Sequence, residues 1–192
     1  GRSKVALPPP PHVTILNPLG GAWVGSTASG KVAFDAPGGF GGLTAKLDGS
    51  AVTLAVSSGT AEGPLTLTTE GTHTLSATVK DVVGQSANAA VTFKADLTPP
   101  QLTLEWPAEG TVVEVSTASF GGAVSDLLSG VRSVTCGGTP ATVLYGRWAC
   151  EVALTPGVNT VAIEAQDQVG NTAQTNRAIT YQTAPPEDPT LP

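Results

Sequence analysis

The chain has 192 residues, enough for one domain or two small ones with modest cores, and a formal net charge of -6. No Lys/Arg cluster offsets that acidic balance, which argues against nucleic acid and anionic lipid as partners, since both are held through clustered cations. Charged residues make up only 12% while Gly (23) and Pro (16) abound, which suits short strands joined by turns rather than helices.

In chain order, residues 1–11 end in LPPPP, a stiff polyproline stretch of the kind that spaces modules. His12 opens a strand pattern in which Val13 and Ile15 alternate with His12 and Thr14, closed by a turn through Pro18 and Gly21. A second strand is expected near residues 30–35, and GGFGG at 38–42 reads as a Gly-rich connection. Asp48-Gly49, between Leu47 and Ser50, supplies the positive φ angles of a tight hairpin turn. Residues 72–86, THTLSATVKDVVGQS, alternate Leu75, Ala77 and Val79 with Thr74, Ser76 and Thr78. They then turn through Asp81 and Gly84 into another alternating strand.

The same order repeats downstream. The joint ADLTPP, residues 95–100, ends in two prolines without backbone donors and reads as a short, stiff hinge. QLTLEWPAEG follows, with Pro107 and Gly110 in the places of Pro18 and Gly21. A strand is expected near 120–125, and LLSG at 127–130 is its connection. Gly137-Gly138 between Cys136 and Thr139 is a second tight turn, and residues 158–172, VNTVAIEAQDQVGNT, are the twin of residues 72–86. Asp167, Gly170 and Asn171 fall where the first copy has Asp81, Gly84 and Gln85. A period of roughly 86–89 residues marks a tandem repeat of domain size. Each repeat holds about seven short strands, the pattern of a two-sheet sandwich, with no helix beyond a turn or two.

Asp81 and Asp167 share the parity of the inward residues before them. The parity admits a metal ligand or a general acid; turn chemistry favours a carboxylate accepting backbone N–H groups, with Gly84, Gly170 and Asn171 as the other structural turn residues. Calcium would need six to eight oxygens, and no DxDxD-like run gathers them near Asp81, Asp96 or Asp126, so no metal site and no cofactor is assigned. Tyr145, Arg147 and Trp148 form a candidate ligand contact, because an aromatic platform beside an Arg can stack a sugar. Against that, Trp148 shares parity with Cys150, Val152 and Leu154, the inward face of one strand, while Trp23 and Trp106 fall at half-exposed first turns. His12 and His73 lie in strand-like stretches, His73 at an outward-leaning strand start, and neither has a nucleophile or carboxylate at motif spacing. No catalytic residue is assigned. Cys136 shares parity with Val134 and Cys150 with Trp148, so both thiols point inward and a disulfide is expected between them.

The opening P-x-V/L-T-I/L-x-x-P-x-x-G and the closing PGVNTVAIEAQDQVGNT resemble bacterial immunoglobulin-like domains. The likeness is to those found in tandem in secreted and cell-surface proteins, and to the Ig-like accessory domains of glucodextranase-type proteins. It covers nearly the whole chain, twice over, and the first copy departs at His73 and Gln85. The resemblance implies an all-β chain of two tandem immunoglobulin-like β-sandwich domains, residues 12–96 and 97–183, flanked by Pro-rich linkers at 1–11 and 184–192. It implies a non-catalytic module pair, a stalk, spacer or adhesion segment of a larger secreted or surface-displayed bacterial protein. The competing readings are a carbohydrate-binding accessory module and a partner-docking domain within the parent protein. The expected partner is an unidentified protein or polysaccharide, with no membrane insertion and a monomeric fragment. The chain contains no Met, so it reads as a piece of a longer polypeptide with any signal peptide outside it.

Overall fold

Strict alternation of apolar and polar residues becomes strand wherever a second strand can face it. In the computed structural model, which describes residues 6–183, the alternating stretch around Leu75 is an eleven-residue strand, and its twin around Ile163 is another. The expected linker at 184–192 and the first five residues lie outside the described residues. The chain divides into two units, Gly1–Leu97 and Thr98–Pro192.

The first unit runs β1 (His12–Asn17), β2 (Trp23–Val24), β3 (Ser29–Asp35), β4 (Phe40–Leu47), β5 (Ser50–Val52), β6 (Ala55–Ser57), β7 (Thr60–Pro64), β8 (Gly71–Asp81) and β9 (Ser86–Ala95). One sheet has the order β1-β3-β7-β6 and the other β2-β9-β8-β4-β5. The second unit runs β10 (Gln101–Leu102), β11 (Val112–Val113), β12 (Thr117–Ser125), β13 (Val131–Cys136), β14 (Thr139–Pro140), β15 (Thr142–Leu144), β16 (Arg147–Ala153), β17 (Gly157–Asp167) and β18 (Thr172–Tyr181). Its sheets, β10-β12-β16-β15 and β11-β18-β17-β13-β14, repeat the first unit's topology strand for strand. In both, the first strand breaks at a cis proline, after Asn17 or Trp106, and the next short strand pairs in parallel with the last strand of the opposite sheet. Each unit thus has more strands than the pattern predicts, the additions being pieces of two or three residues. Strand β10 is shorter than expected because Ala123 N–H is taken by the Thr103 hydroxyl instead of its carbonyl, and pairing resumes only as a single bridge between Trp106 and Gly121.

Four two-residue turns carry positive φ at both positions: Asp48-Gly49, Ser58-Gly59, Gly137-Gly138 and Tyr145-Gly146. Two of them, Asp48-Gly49 and Gly137-Gly138, follow the sequence rule for primed hairpins. The other two occupy equivalent hairpins, β6–β7 and β15–β16, and the second of these puts a tyrosine where such turns favour Asn, Asp or Gly.

The two cores fill the same frame differently. At the paired positions Val32 and Ala61 of the first unit, the second unit has Gly122 and Trp148. Trp148 is 1% exposed and its indole N–H donates to the Thr103 carbonyl at 3.1 Å. Gly122 must stay bare there, because a Cβ would lie 2.0 Å from the Thr103 carbonyl oxygen. Phe120 stands where the first unit has Gly30, whose own absent side chain leaves room for Leu54, Leu65 and Leu75. Cys136 on β13 is bonded to Cys150 on β16, so the disulfide joins the two sheets across the core of the second unit. The corresponding pair in the first unit is Leu47 and Gly63.

Reduction is expected to act on one unit alone. A bridge closing a loop of sequence separation 14 restrains the unfolded chain, and its loss should lower the second unit's stability by roughly 3 kcal/mol. Calorimetry with and without reductant checks this: the transition of the first unit, which has no cysteine, should not move.

Candidate functional site

At the end of β17 the carboxylate of Asp167 is fully buried. Its Oδ1 accepts the backbone N–H groups of Val169 (2.9 Å), Gly170 (2.7 Å) and Asn171 (2.8 Å), and its Oδ2 accepts the Asn171 side-chain amide at 2.6 Å. Asp81 ends β8 in the same way, its Oδ1 taking Val83 N–H and Gln85 N–H and its Oδ2 the Gln85 amide at 2.9 Å. Gly84 and Gly170 supply the positive φ that closes each turn. The amides have a second task, which the sequence pattern does not show. Gln85 also donates to the Pro8 carbonyl at 3.1 Å and Asn171 to the Thr98 carbonyl at 3.5 Å, so each ties its turn to the segment that enters its own unit. The exchange of Asn for Gln therefore preserves the bond it seemed to break.

His73 behaves likewise. It is 6% exposed and stacked on Phe93, not outward-leaning as its position at the strand start suggested. Its Nε2 lies 2.9 Å from the Thr69 carbonyl and its Nδ1 2.7 Å from Asp48 Oδ2. Both partners are acceptors, so both ring nitrogens must donate, and the geometry is that of the charged imidazolium. Burial opposes that charge, but the hydrogen bonds to Asp48 and Thr69 more than reverse it and hold the His73 pKa above its ordinary value. The His73 hydrogen bond, with a second from Thr74 N–H, holds the Asp48 carboxyl below its ordinary value. In the second unit Asn159 spans the equivalent loop, its amide donating to the Thr155 and Gly157 carbonyls. Sequence spacing missed the His73–Asp48 pair because Asp48 comes from a hairpin turn on the neighbouring strand. Spent on loop closure, the pair leaves no ring nitrogen free to act as a base.

The aromatic cluster of the second unit is arranged differently from its sequence reading. Trp148 belongs to the core at 1% exposure, so it can form only the floor of a contact and not the stacking platform its sequence position suggested. Tyr145 is 95% exposed at the β15–β16 hairpin tip, and Trp106, from another strand, is 39% exposed beside it. Trp106 rests on the bare backbone of Gly121, where a Cβ would come within 2.0 Å of the ring. The Arg147 guanidinium lies over the same indole, 5.6 Å from the ring centroid. It is held there by Glu105 through two parallel bonds, Nη1 to Oε1 at 2.7 Å and Nη2 to Oε2 at 2.5 Å. Hydrogen bonding to Arg147 keeps the Glu105 carboxyl below its usual range, so the pair remains ionised and locally neutral. Trp106, Tyr145 and Arg147, with Thr142, Leu144, Trp148 and Ala149, border a shallow, apolar pocket of about 360 Å³. In the first unit Trp23 is half-buried, with Lys94 over its ring at 5.2 Å.

Within the second unit the carboxylates best placed for a cation are Asp126 and Asp167, which bring oxygens within 4.8 Å of each other. Their Oδ1 atoms are already taken by turn N–H groups, those of Leu128 and Gly130 on Asp126. Calcium would want six to eight oxygens, and two capped carboxylates are a small share of that.

Residues 100–183 match the family model described as "Glucodextranase, domain B". Bacillopeptidase F of Bacillus subtilis (strain 168) is 32% identical over 103 residues, 53% of this chain, and the match spans 7% of that protein's length. Among solved structures, the fibronectin(III)-like modules of Clostridium thermocellum CbhA superpose with a TM-score of 0.53 at 13% identity, covering 90% of this chain and 95% of that one. The likeness to the solved modules is one of fold: each unit is an Ig-like, fibronectin(III)-like β-sandwich, and the family match covers the second unit alone. Among the described residues no helix is long and apolar enough to cross a membrane.

Asp167→Ala leaves three part-buried turn N–H groups without their acceptor, and should destabilise the second unit by about 2 kcal/mol in a chemical melt. An unchanged midpoint would remove the carboxylate from this role. The His73–Asp48 pair gives the first unit a pH profile. A raised His pKa adds stability that is fully present below about pH 6.5 and is lost as pH rises through the folded value. A lowered Asp pKa adds stability present above about pH 4 and lost as pH falls through its folded value. The first unit's melting temperature should therefore peak between those limits, and in His73→Asn the alkaline fall should vanish.

Proposed function

We propose that the chain is a stalk or spacer, or an adhesion segment, that presents a neighbouring domain of a larger secreted or surface-displayed bacterial protein. In this reading residues 12–96 and 97–183 are the working modules, and the Pro-rich stretches 1–11 and 184–192 are their linkers. The observation that carries it is the repetition itself: one sandwich topology is built twice, with the same turn locks at Asp81 and Asp167 and different cores. What has been kept between the copies is the frame, which is what a spacer needs. The sparse charge, 12% of residues, leaves few groups to shape a reactive site. A match covering a small fraction of a much longer peptidase is also what a module shared among multidomain proteins would produce.

A display experiment tests the reading. An epitope is fused ahead of the chain, a cell-wall anchor behind it, and antibody binding on intact cells is compared with a direct epitope–anchor fusion. Accessibility should rise with one unit and rise again with two. Equal accessibility in all three would sink the spacer role.

A further inference from the structure

We propose that the second unit carries a binding site for a neutral hexopyranose unit of a polysaccharide, formed by Trp106, Leu144 and Tyr145 around the Arg147–Glu105 pair. The inference goes beyond the spacer reading and stands or falls separately from it.

The first unit serves as an internal control. Strand registers and the shared break at the cis proline place Glu105 and Trp106 opposite Leu16 and Asn17, and Gly121 opposite Lys31. They place Leu144, Tyr145 and Arg147 opposite Ser57, Ser58 and Thr60. The frame does not require the second set, since the first unit forms the same strands without it. Yet in the second unit these exchanges converge on one spot from three separate stretches of chain. Trp106 can lie flat there only because Gly121 is bare, and in the first unit Lys31 occupies that position and pairs with Glu62.

Tyr145 adds a second line of argument. It has φ 49, in the left-handed region that disfavours bulky residues, and at 95% exposure it gains almost nothing from packing. Ser58 takes the same conformation in the first unit, and Asn or Asp would suit it better than either. A solvent-exposed aromatic ring kept at a strained turn is accounted for by contact with something outside the chain.

The chemistry of the spot selects the ligand. The C–H faces of a pyranose are apolar and its hydroxyls ring the edge. The phenol ring and the exposed part of the indole match the faces, and the N–H groups of the Arg147 guanidinium that Glu105 does not take are available to a neighbouring hydroxyl. Because Glu105 neutralises Arg147, the site has no net charge with which to prefer an acidic sugar or a phosphate. A pocket of about 360 Å³ suits a small ligand. A protein interface would ordinarily bury about 1,200 Å² or more.

The test is native affinity electrophoresis of the whole chain through gels containing dextran, soluble starch, laminarin or xyloglucan, with polygalacturonate as the acidic comparison. At least one neutral polymer should retard the chain, and Tyr145→Asn and Arg147→Ala should each weaken the retardation at least tenfold. Tyr145→Asn should melt at or above the temperature of the unaltered chain, which separates lost binding from lost folding. Retardation by none of the neutral polymers, retardation unaffected by either variant, or retardation by polygalacturonate alone would overturn the proposal. So would sedimentation showing that the chain self-associates through Tyr145, because the ring would then be explained by a second copy.

Discussion

A carboxylate buried at the turn between the two longest strands is the constraint on which each unit depends. A carboxylate out of water is tolerable only when both its oxygens are hydrogen-bonded. Asp167 meets that condition by drawing three consecutive backbone N–H groups and one side-chain amide onto itself. This fixes where β17 stops and β18 starts, and with it the ten-residue register of the hairpin between them. Since a slip of one residue would turn every inward side chain outward, the turn governs which residues reach the core. The same carboxylate orients the Asn171 amide toward the Thr98 carbonyl, so the entering strand is anchored by the lock that sets the hairpin. Asp81 and Gln85 do this for the first unit with one more methylene in the amide side chain.

With the frame held at its turns, the core and surface are free to diverge. The first unit fills its interior with aliphatic residues and Phe93, including three leucines that close over Gly30. The second places Trp148 against Gly122 and Phe120 where Gly30 would be, and bonds Cys136 to Cys150 across the layers. Large and small residues have traded places across facing strands, which keeps the volume between the sheets filled. Loop closures diverge by the same logic. His73 with Asp48, and Asn159 alone, each span a four-residue loop, one through a charged ring and the other through a neutral amide. Of the two closures, only the charged one titrates.

The surface follows. The first unit covers its β3–β7 ladder with an ordinary exposed ion pair, Lys31 and Glu62. At that place the second unit has Gly121 and an indole, with the cation supplied by the next strand and its counter-ion by the strand before the break. A difference of this kind between two copies of one fold in one chain separates what the fold needs from what the surface has acquired.

Period-two alternation, the Asp-Gly and Gly-Gly turns and the recurrence of Asp-x-x-Gly were enough to read an all-β chain of two repeats, because each is a local signal set by backbone geometry within a few residues. The inward direction of Asp81, Asp167, Cys136 and Cys150 was legible for the same reason, since side chains alternate between faces along a strand. Three features were not. His73 was read as outward because its partner Asp48 arrives from a turn 25 residues away, and only sheet pairing brings a carboxylate to its ring. Trp148 was grouped with Tyr145 and Arg147 because the three are neighbours in sequence, whereas the strand sends the indole to the opposite side of the sheet from Arg147. The companion of Tyr145 proved to be Trp106, far upstream, and the positive φ that makes the tyrosine conspicuous is invisible in its letter. Local sequence decided which residues become strand and turn; tertiary pairing decided which distant side chains meet, because that depends on register between strands that the chain must first cross the sandwich to form.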